Sequence, residues 1–320
     1  MARLFDRYVV VDWSANSTPK AGKDSIWSCI FDPKLGRQDV VNHRTRHAAR
    51  TYVTAALIAD RGRVLAGFDF PYGYPSGFAH AAGLVGGRPW MAAWDHLARH
   101  LRDEPDNTNN RFELAAQLNA AISDGPGPFW GTTADRHVTP HLSRTKAPGF
   151  PHRGLTEFRA NERAVRATGR YPFSVWQLTG AGSVGSQAMT GIPVLSSLRW
   201  HEDLAHRSVV WPFETGLTDD PSAGRADMIV HAEIWPSSIP VDLTRHAVKD
   251  AAQVIGLCQH LARVDASGDL ADLFAPDLDA QTAQAVVDEE GWILGAHPAP
   301  TSLVVSQRCH AMSDVPPRLG

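Results

Sequence analysis

With 320 residues and 43% hydrophobic side chains, the chain is long enough for one large or two modest domains, and its globular composition excludes disordered and fibrous proteins. Its formal net charge of −3 excludes binding to nucleic acid through an overall positive charge. The sequence contains no apolar run of about 18 residues and no signal-peptide pattern at its start, so we expect a cytoplasmic protein without a membrane partner.

Segments rich in β-branched and aromatic residues alternate with polar turns at the start of the chain, a pattern typical of strands. One segment with apolar residues at helical spacing ends before Gly62 and predicts a helix. The expected opening order is three strands, a helix and a fourth strand, at residues 8–13, 25–31, 38–42, 48–60 and 63–70.

The pattern changes after Pro71, where helical spacing alternates with loops rich in proline and glycine. It predicts helices at residues 90–101, 111–123, 155–167 and 185–198. Strand-like segments return at 208–213 and 228–235, and helices follow at 248–264 and 280–289. We therefore assign residues 1–75 and 208–320 to a core and residues 76–207 to a large, mostly helical insertion.

Charge is unevenly distributed along the chain. Residues 135–170 contain eight arginines or lysines and three acidic residues, whereas residues 249–290 contain nine acidic and two basic residues. Such stretches are often solvated helix faces, but the basic stretch also suits contact with phosphate groups. The candidates for phosphate binding are Arg136, Arg144, Lys146 and Arg159.

Four acidic residues occupy unusual positions. Asp12 and Asp69 end predicted strands, Glu233 lies in a late strand, and Asp250 opens a long helix. An acid in an apolar strand costs several kcal/mol unless it is paired or binds a cation. Because ligands gather at the carboxyl ends of neighbouring parallel strands, we expect Asp12 and Asp69 to converge. Carboxylate clusters of this kind bind Mg²⁺ or Mn²⁺.

The same residues carry a family resemblance. The order of VDWSA, GFDFPYGYP, AEIWPSS and KDAAQVIGL resembles the ribonuclease-H-like superfamily. More narrowly, it resembles a bacterial family of predicted ribonuclease-H-like nucleases, a domain of unknown function, with an Asp-x-Pro-x-Gly-x-Pro strand end and a Glu-x-x-Pro strand. The resemblance covers residues 5–75 and 208–295, and Glu214 competes with Glu233 as the third acid.

This resemblance implies an α/β fold with a mixed five-stranded sheet flanked by helices, whose second strand is antiparallel. It also implies that Asp12, Asp69, Glu233 and Asp250 hold Mg²⁺ or Mn²⁺ and catalyse metal-dependent phosphodiester hydrolysis on a nucleic acid or a nucleotide. The first alternative is a non-catalytic binding protein on the same fold. Labels on some relatives associate that alternative with molybdopterin-guanine dinucleotide or cobalamin synthesis.

Residues 180–185 carry competing motifs. They match the Gly-x-Gly-x-x-Gly dinucleotide fingerprint, but the acid that should end the next strand is missing, so we expect a tight turn whose amides contact a phosphate or carboxylate. The same turn resembles a relaxed nucleophile elbow around Ser183, which gives a small-molecule serine hydrolase as the second alternative.

Two further groups of residues are weaker candidates. Three His-x-x-x-His pairs lack the glutamate of zinc proteases, so we expect surface histidines. Trp130 lies among loop residues, where it can fill the core or stack on a base.

Overall fold

The computed structural model describes residues 3–180 and 182–296, so the last part of the predicted core range, residues 297–320, lies outside the described residues. The described chain is a mixed α/β fold built on a six-stranded sheet with the order β3-β2-β1-β4-β6-β5. Strand β2 is antiparallel to β1 and β3, whereas β1, β4, β6 and β5 are parallel. The strands are β1 (Arg7–Asp12), β2 (Ile26–Asp32), β3 (Arg37–His43), β4 (Arg63–Phe68), β5 (Ser208–Val210) and β6 (Met228–Glu233).

The sheet has one strand more than the five that the family resemblance implies. The additional strand is β5, a short edge strand that pairs in parallel with Ile229–His231 of β6. It ends at Val210, before the end of the predicted segment 208–213, and Pro212 lacks the N–H that a further ladder bond requires. A sequence pattern identifies a strand, but only the packed sheet determines whether that strand joins an edge.

Helices cover both faces of the sheet. The described helices are α1 (Arg46–Ala59), α2 (Phe78–Ala81), α3 (Pro89–His100), α4 (Arg111–Ser123), α5 (Ala160–Ala167), α6 (Val184–Arg199), α7 (Lys249–Ser267), α8 (Leu270–Phe274) and α9 (Ala280–Ala285), and α9 continues into a π-helical turn at Val286–Glu290. No helix in the described ranges is sufficiently long and apolar to span a bilayer.

The alternation of side chains along β1 divides the core into two layers. Val9 and Val11 belong to a buried cluster that also contains residues of α1, α3, α4 and α6. Tyr8 and Val10 belong to a second cluster that is built mainly with α7. Four helices of the insertion, α2, α3, α4 and α6, therefore bury their apolar sides against the same sheet face as α1, whereas Ala160 and Val165 of α5 belong to the second cluster.

One predicted helix begins later than its periodicity indicates. The segment 155–167 is helical only in α5, Ala160–Ala167, because Leu155 forms an isolated β-bridge with His152. The N-cap is Arg159, whose backbone N–H donates to the Glu162 side chain at 2.7 Å. This cap fixes the start of the helix at Ala160.

The segment after β4 is held by backbone contacts that require a glycine. A Cβ atom on Gly73 would lie 2.0 Å from the carbonyl oxygen of Glu289 and 2.7 Å from that of Glu290. The side chains of the same two glutamates accept N–H groups of Ser76 at 2.9 Å and Gly77 at 2.6 Å. The chain that follows Asp69 is therefore packed directly against the π-helical turn.

Gly73→Ala should destabilise the protein by about 2–3 kcal/mol, because backbone atoms cannot move away from the new methyl group as a flexible side chain could. The matched control is Gly125→Ala, since a Cβ atom there meets no atom closer than 3.8 Å. Urea denaturation of both variants measures the difference. Equal midpoints for the two variants would contradict the close approach at Gly73.

Candidate functional site

Two carboxyl groups meet where neighbouring parallel strands end. Asp12 is the last residue of β1, and Asp69 directly follows β4, whose Phe68 is in register with Val11. The backbone N–H of Asp69 donates to the carbonyl of Val11 at 3.2 Å, and the N–H of Trp13 donates to Oδ1 of Asp69 at 2.6 Å. The carboxyl groups of Asp12 and Asp69 lie close enough that each shifts the pKa of the other. The predicted convergence of these two acids is confirmed.

The electrostatics of this pair favour a bound proton or cation. Desolvation by the surrounding protein raises the pKa of Asp12 well above its usual range, and the negative charge of Asp69 raises it further. Desolvation also raises the pKa of Asp69, although the donating N–H of Trp13 partly offsets this effect. Within residues 3–180 and 182–296, no lysine, arginine or histidine forms an ion pair with either carboxylate. The two groups therefore share a proton when no cation is present.

The pair faces a cleft of about 800 Å³ whose wall includes two further carboxylates, Asp250 and Asp24. Asp250 lies in the first turn of α7, and its Oδ2 accepts the backbone N–H of Asp24 at 2.6 Å. Both carboxylates raise the pKa of Asp12 through their charge. Three of the four predicted acids, Asp12, Asp69 and Asp250, thus share one cleft.

The insertion contributes a different kind of wall to this cleft. Its residues there include Arg111, Ser186 and the turn around Gly182 that precedes α6. Arg111 is 7% exposed, and its Nε donates to Oγ of Ser186 at 2.8 Å. Its Nη1 donates to Ser17 at 2.9 Å and to Asn109 at 2.8 Å. These bonds hold the guanidinium group at the cleft with neutral partners.

Glu233 does not join the aspartate pair, which corrects the prediction for the third acid. Its carboxylate is buried and accepts Nη1 of Arg159 at 2.8 Å and Nη2 at 2.6 Å. The N–H of Tyr72 donates to the same carboxylate at 2.9 Å. Glu214, the competing residue, is paired with Arg199 at 2.7 Å and also does not line the cleft. Each of these acids is compensated by an arginine instead of a metal ion.

The predicted phosphate-binding residues also lie elsewhere. Arg159 is fully buried and is held by Glu233 and Glu162, so it is not available to a substrate. Arg136, Arg144 and Lys146 are exposed and do not line the cleft. Arg144 is paired with Asp135, and Lys146 is paired with Glu157 at 2.9 Å. Most of this basic stretch is therefore neutralised locally or exposed at the surface.

The glycine-rich turn lies at the cleft, but as a packing element. Gly182 has a φ of +69°, and the N–H of Gly185 donates to the carbonyl of Gln177 at 3.0 Å. Ser183, the residue proposed for a serine hydrolase, also lines the cleft. No histidine of the described chain lines the cleft with Ser183, so a triad partner is missing there.

The remaining aromatic and histidine candidates are not part of this site. Trp130 lies outside the cleft and packs against the core that contains α3 and α4. His96 and His100 stack at 4.3 Å between ring centroids, and His137 stacks on Phe112 at 4.5 Å. These stacking contacts explain the positions of the histidine rings without a bound ligand.

The sequence interpretation missed two cleft residues, Asp24 and Arg111. Asp24 precedes β2, whose Trp27 is in register with Asp12, so the pairing of a β1–β2 hairpin could have indicated its position. Arg111 begins a helix of the insertion, and no local motif relates it to the core acids. Its placement depends on how the insertion packs on the sheet.

The described part of the chain contains no group of three or more His, Cys, Asp or Glu side chains arranged to hold a metal ion. The four-carboxylate metal site implied by the family resemblance is thus not assembled in this structure, because Glu233 pairs with Arg159. Comparison of the chain with protein-family models, curated proteins and solved structures found no match.

Proposed function

We propose that this protein is a metal-dependent phosphodiester hydrolase with a ribonuclease-H-like architecture and that the cleft at Asp12 and Asp69 is its active site. The observation that carries this proposal is the pair of neighbouring, desolvated carboxyl groups at the ends of two parallel strands. The pair faces an open cleft and has no cationic side chain as a partner in the described ranges. A divalent cation would compensate both charges.

The donor set suits Mg²⁺ or Mn²⁺, although the site contains fewer carboxylates than the family resemblance implies. Mg²⁺ keeps several of its waters and is often bound by one or two carboxylates together with substrate phosphates. Asp12 and Asp69 would hold the cation, and the charges of Asp250 and Asp24 in the same cleft would increase its affinity. When bound, such a cation stabilises negative charge on phosphate oxygens.

The side chains around this pair match the needs of phosphodiester hydrolysis. The oxygen of a water molecule bonds to phosphorus and gives up a proton, the bond from phosphorus to one ester oxygen breaks, and that departing oxygen takes up a proton. The positive charge of Arg111 binds a phosphate oxygen, and its bonds to Ser17 and Ser186 orient the guanidinium group. The carboxylates would therefore bind the cation, and the arginine would bind the substrate.

The topology supports the ribonuclease-H-like assignment. Three antiparallel strands lead into a fourth strand that is parallel to the first, and the two acids follow these central strands. Strand β6 extends the sheet beside β4 in the same direction. The additional edge strand β5 and the pairing of Glu233 with Arg159 are differences from the implied pattern.

A non-catalytic binding protein on the same fold is the second candidate. The proton shared by Asp12 and Asp69 favours it, because this proton compensates the pair without a metal ion. A measurement of metal affinity distinguishes the metal-dependent hydrolase from the binding protein.

Calorimetric titration of Mn²⁺ into the wild type and into Asp69→Asn tests the proposed cation site. We expect the wild type to bind Mn²⁺ with the release of a proton, and we expect Asp69→Asn to lose this binding. The matched control is Asp203→Asn, which changes an exposed aspartate outside the cleft. A folded wild type that does not bind Mn²⁺, or a variant that binds it equally well, would refute the metal-dependent function.

The pair also predicts how stability depends on pH in the metal-free protein. Because the folded-state pKa values of Asp12 and Asp69 are raised, the folded state binds more protons than the unfolded state above the usual aspartate pKa. We expect the contribution of the pair to stability to fall as pH rises from about 4 to about 8. Thermal denaturation of wild type and Asp12→Asn in EDTA at several pH values measures this contribution. The Tm of the variant relative to that of the wild type should increase with pH. A difference in Tm between the two proteins that does not change with pH would contradict the shared proton.

A further inference from the structure

The described lining of the cleft contains one basic side chain, Arg111. One nitrogen of its guanidinium group has no hydrogen-bond acceptor among the described residues. Arg111 is 7% exposed and has no acidic partner within ion-pair distance among the described residues. Its Nε and Nη1 are engaged by Ser186, Ser17 and Asn109, whereas Nη2 has no acceptor among the described residues. A buried guanidinium group with neutral partners and a free donor is a site for one anionic group.

An exposed aromatic ring lies on the same wall. Phe173 lines the cleft and is 45% exposed, although its side chain is entirely apolar. Its ring packs against Gly182, where a Cβ atom would lie 2.0 Å from the ring. The glycine thus supports the ring from one side, and the exposed part can stack on a planar group.

The rest of the cleft disfavours a long nucleic acid strand. Tight binding of a strand requires several cations along its phosphates, but the lining of the cleft contains four carboxylates and a single arginine among the described residues. Arg144 and Lys146, which the sequence pattern offered as phosphate contacts, are paired with acids outside the cleft.

We propose that the substrate of this cleft is a small nucleotide ester, with its phosphate on Arg111 and its base stacked on Phe173, and not a nucleic acid polymer. This inference rests on the proposed phosphodiester hydrolysis, for which it names the substrate class. The cleft of about 800 Å³ has the size of a site for a small molecule. The carboxylate end of the cleft repels additional phosphates that lack a bound cation.

Three probes are compared: AMP, ribose 5-phosphate and a single strand of about 20 adenylates. AMP and ribose 5-phosphate distinguish the base contact from the phosphate contact, and the strand tests whether the cleft binds a polymer. Binding is measured by calorimetry in Mg²⁺ buffer and again in EDTA. We expect AMP to bind about tenfold more tightly than ribose 5-phosphate, which lacks the base. Between about 50 and about 200 mM salt, affinity for AMP and for the strand should fall only about threefold, as a single phosphate contact requires.

Two variants test the named side chains. Phe173→Ala should weaken AMP binding about tenfold and leave ribose 5-phosphate unchanged, and Phe173→Tyr should restore AMP binding. The matched control is Tyr171→Ala, which removes a 71% exposed ring that does not line the cleft. Arg111→Gln should weaken both phosphate-containing ligands, and Arg111→Lys, which keeps the charge, should retain part of the binding.

Two results would overturn the inference. One is a strand that binds far more tightly than AMP with a steep salt dependence, and the other is AMP binding that is insensitive to Phe173→Ala in a folded variant. Mn²⁺ binding is tested in a separate experiment, the titration of wild type and Asp69→Asn. Failure of the metal-dependent function therefore remains distinguishable from failure of nucleotide recognition.

Discussion

Asp12→Asn should lower the rate of phosphodiester hydrolysis at least about a thousandfold, because it removes a charged ligand from the proposed cation site and leaves about 4 kcal/mol of transition-state stabilisation unrealised. The substrate for this measurement is an activated aryl phosphodiester, whose release is followed by absorbance in Mg²⁺ or Mn²⁺. The change is nearly isosteric, so the fold should persist.

Asp203→Asn is the control for Asp12→Asn, since Asp203 is exposed and lies outside the cleft. Circular dichroism and thermal denaturation verify that both variants are folded. If Asp12→Asn kept wild-type kcat in a preparation that depends on added metal, the cleft would not be the site of catalysis. Activity that requires no metal and is lost in Ser183→Ala would instead support the serine hydrolase alternative.

Arg159→Met should destabilise the protein by about 3–5 kcal/mol, because it leaves Glu162 and Glu233 as buried charges without their cation. Arg159 is 0% exposed and donates to Glu162 at 2.5 Å and to Glu233 at 2.6 Å. It also donates to the backbone carbonyl of Glu290 at 2.8 Å. The measurement is the urea midpoint of unfolding, compared with that of the wild type.

The matched control for Arg159 is Lys146→Met, which breaks an ion pair with Glu157 at 2.9 Å at an exposed position. Exposed pairs contribute about 0–1 kcal/mol, so the control should remain close to wild type. A triple variant, Arg159→Met with Glu162→Gln and Glu233→Gln, should recover part of the lost stability because the unpaired charges are removed. A change below about 1 kcal/mol in Arg159→Met would contradict the role of this group as the compensating cation of the two glutamates.

The order of secondary structure and the position of the aspartate pair could be predicted from the sequence. A run of β-branched and aromatic residues, such as Tyr8 to Val11, and a helix that ends before Gly62 are local signals. Asp12 and Asp69 were identifiable because an acid beside an apolar strand requires compensation, and because parallel strands present their carboxyl ends at one edge. Both arguments use only neighbouring residues and general topology.

The partners of the other charged residues were decided by the tertiary structure. Glu233 is the last residue of a buried strand and Asp69 directly follows one, but Glu233 meets Arg159, which is 74 residues away in sequence. The same pairing removes Arg159 from the set of phosphate contacts, and the packing of α4 places Arg111 at the cleft instead. A periodic pattern shows which residues are buried, but not which opposite charges meet, because those meetings depend on how the insertion folds back onto the sheet.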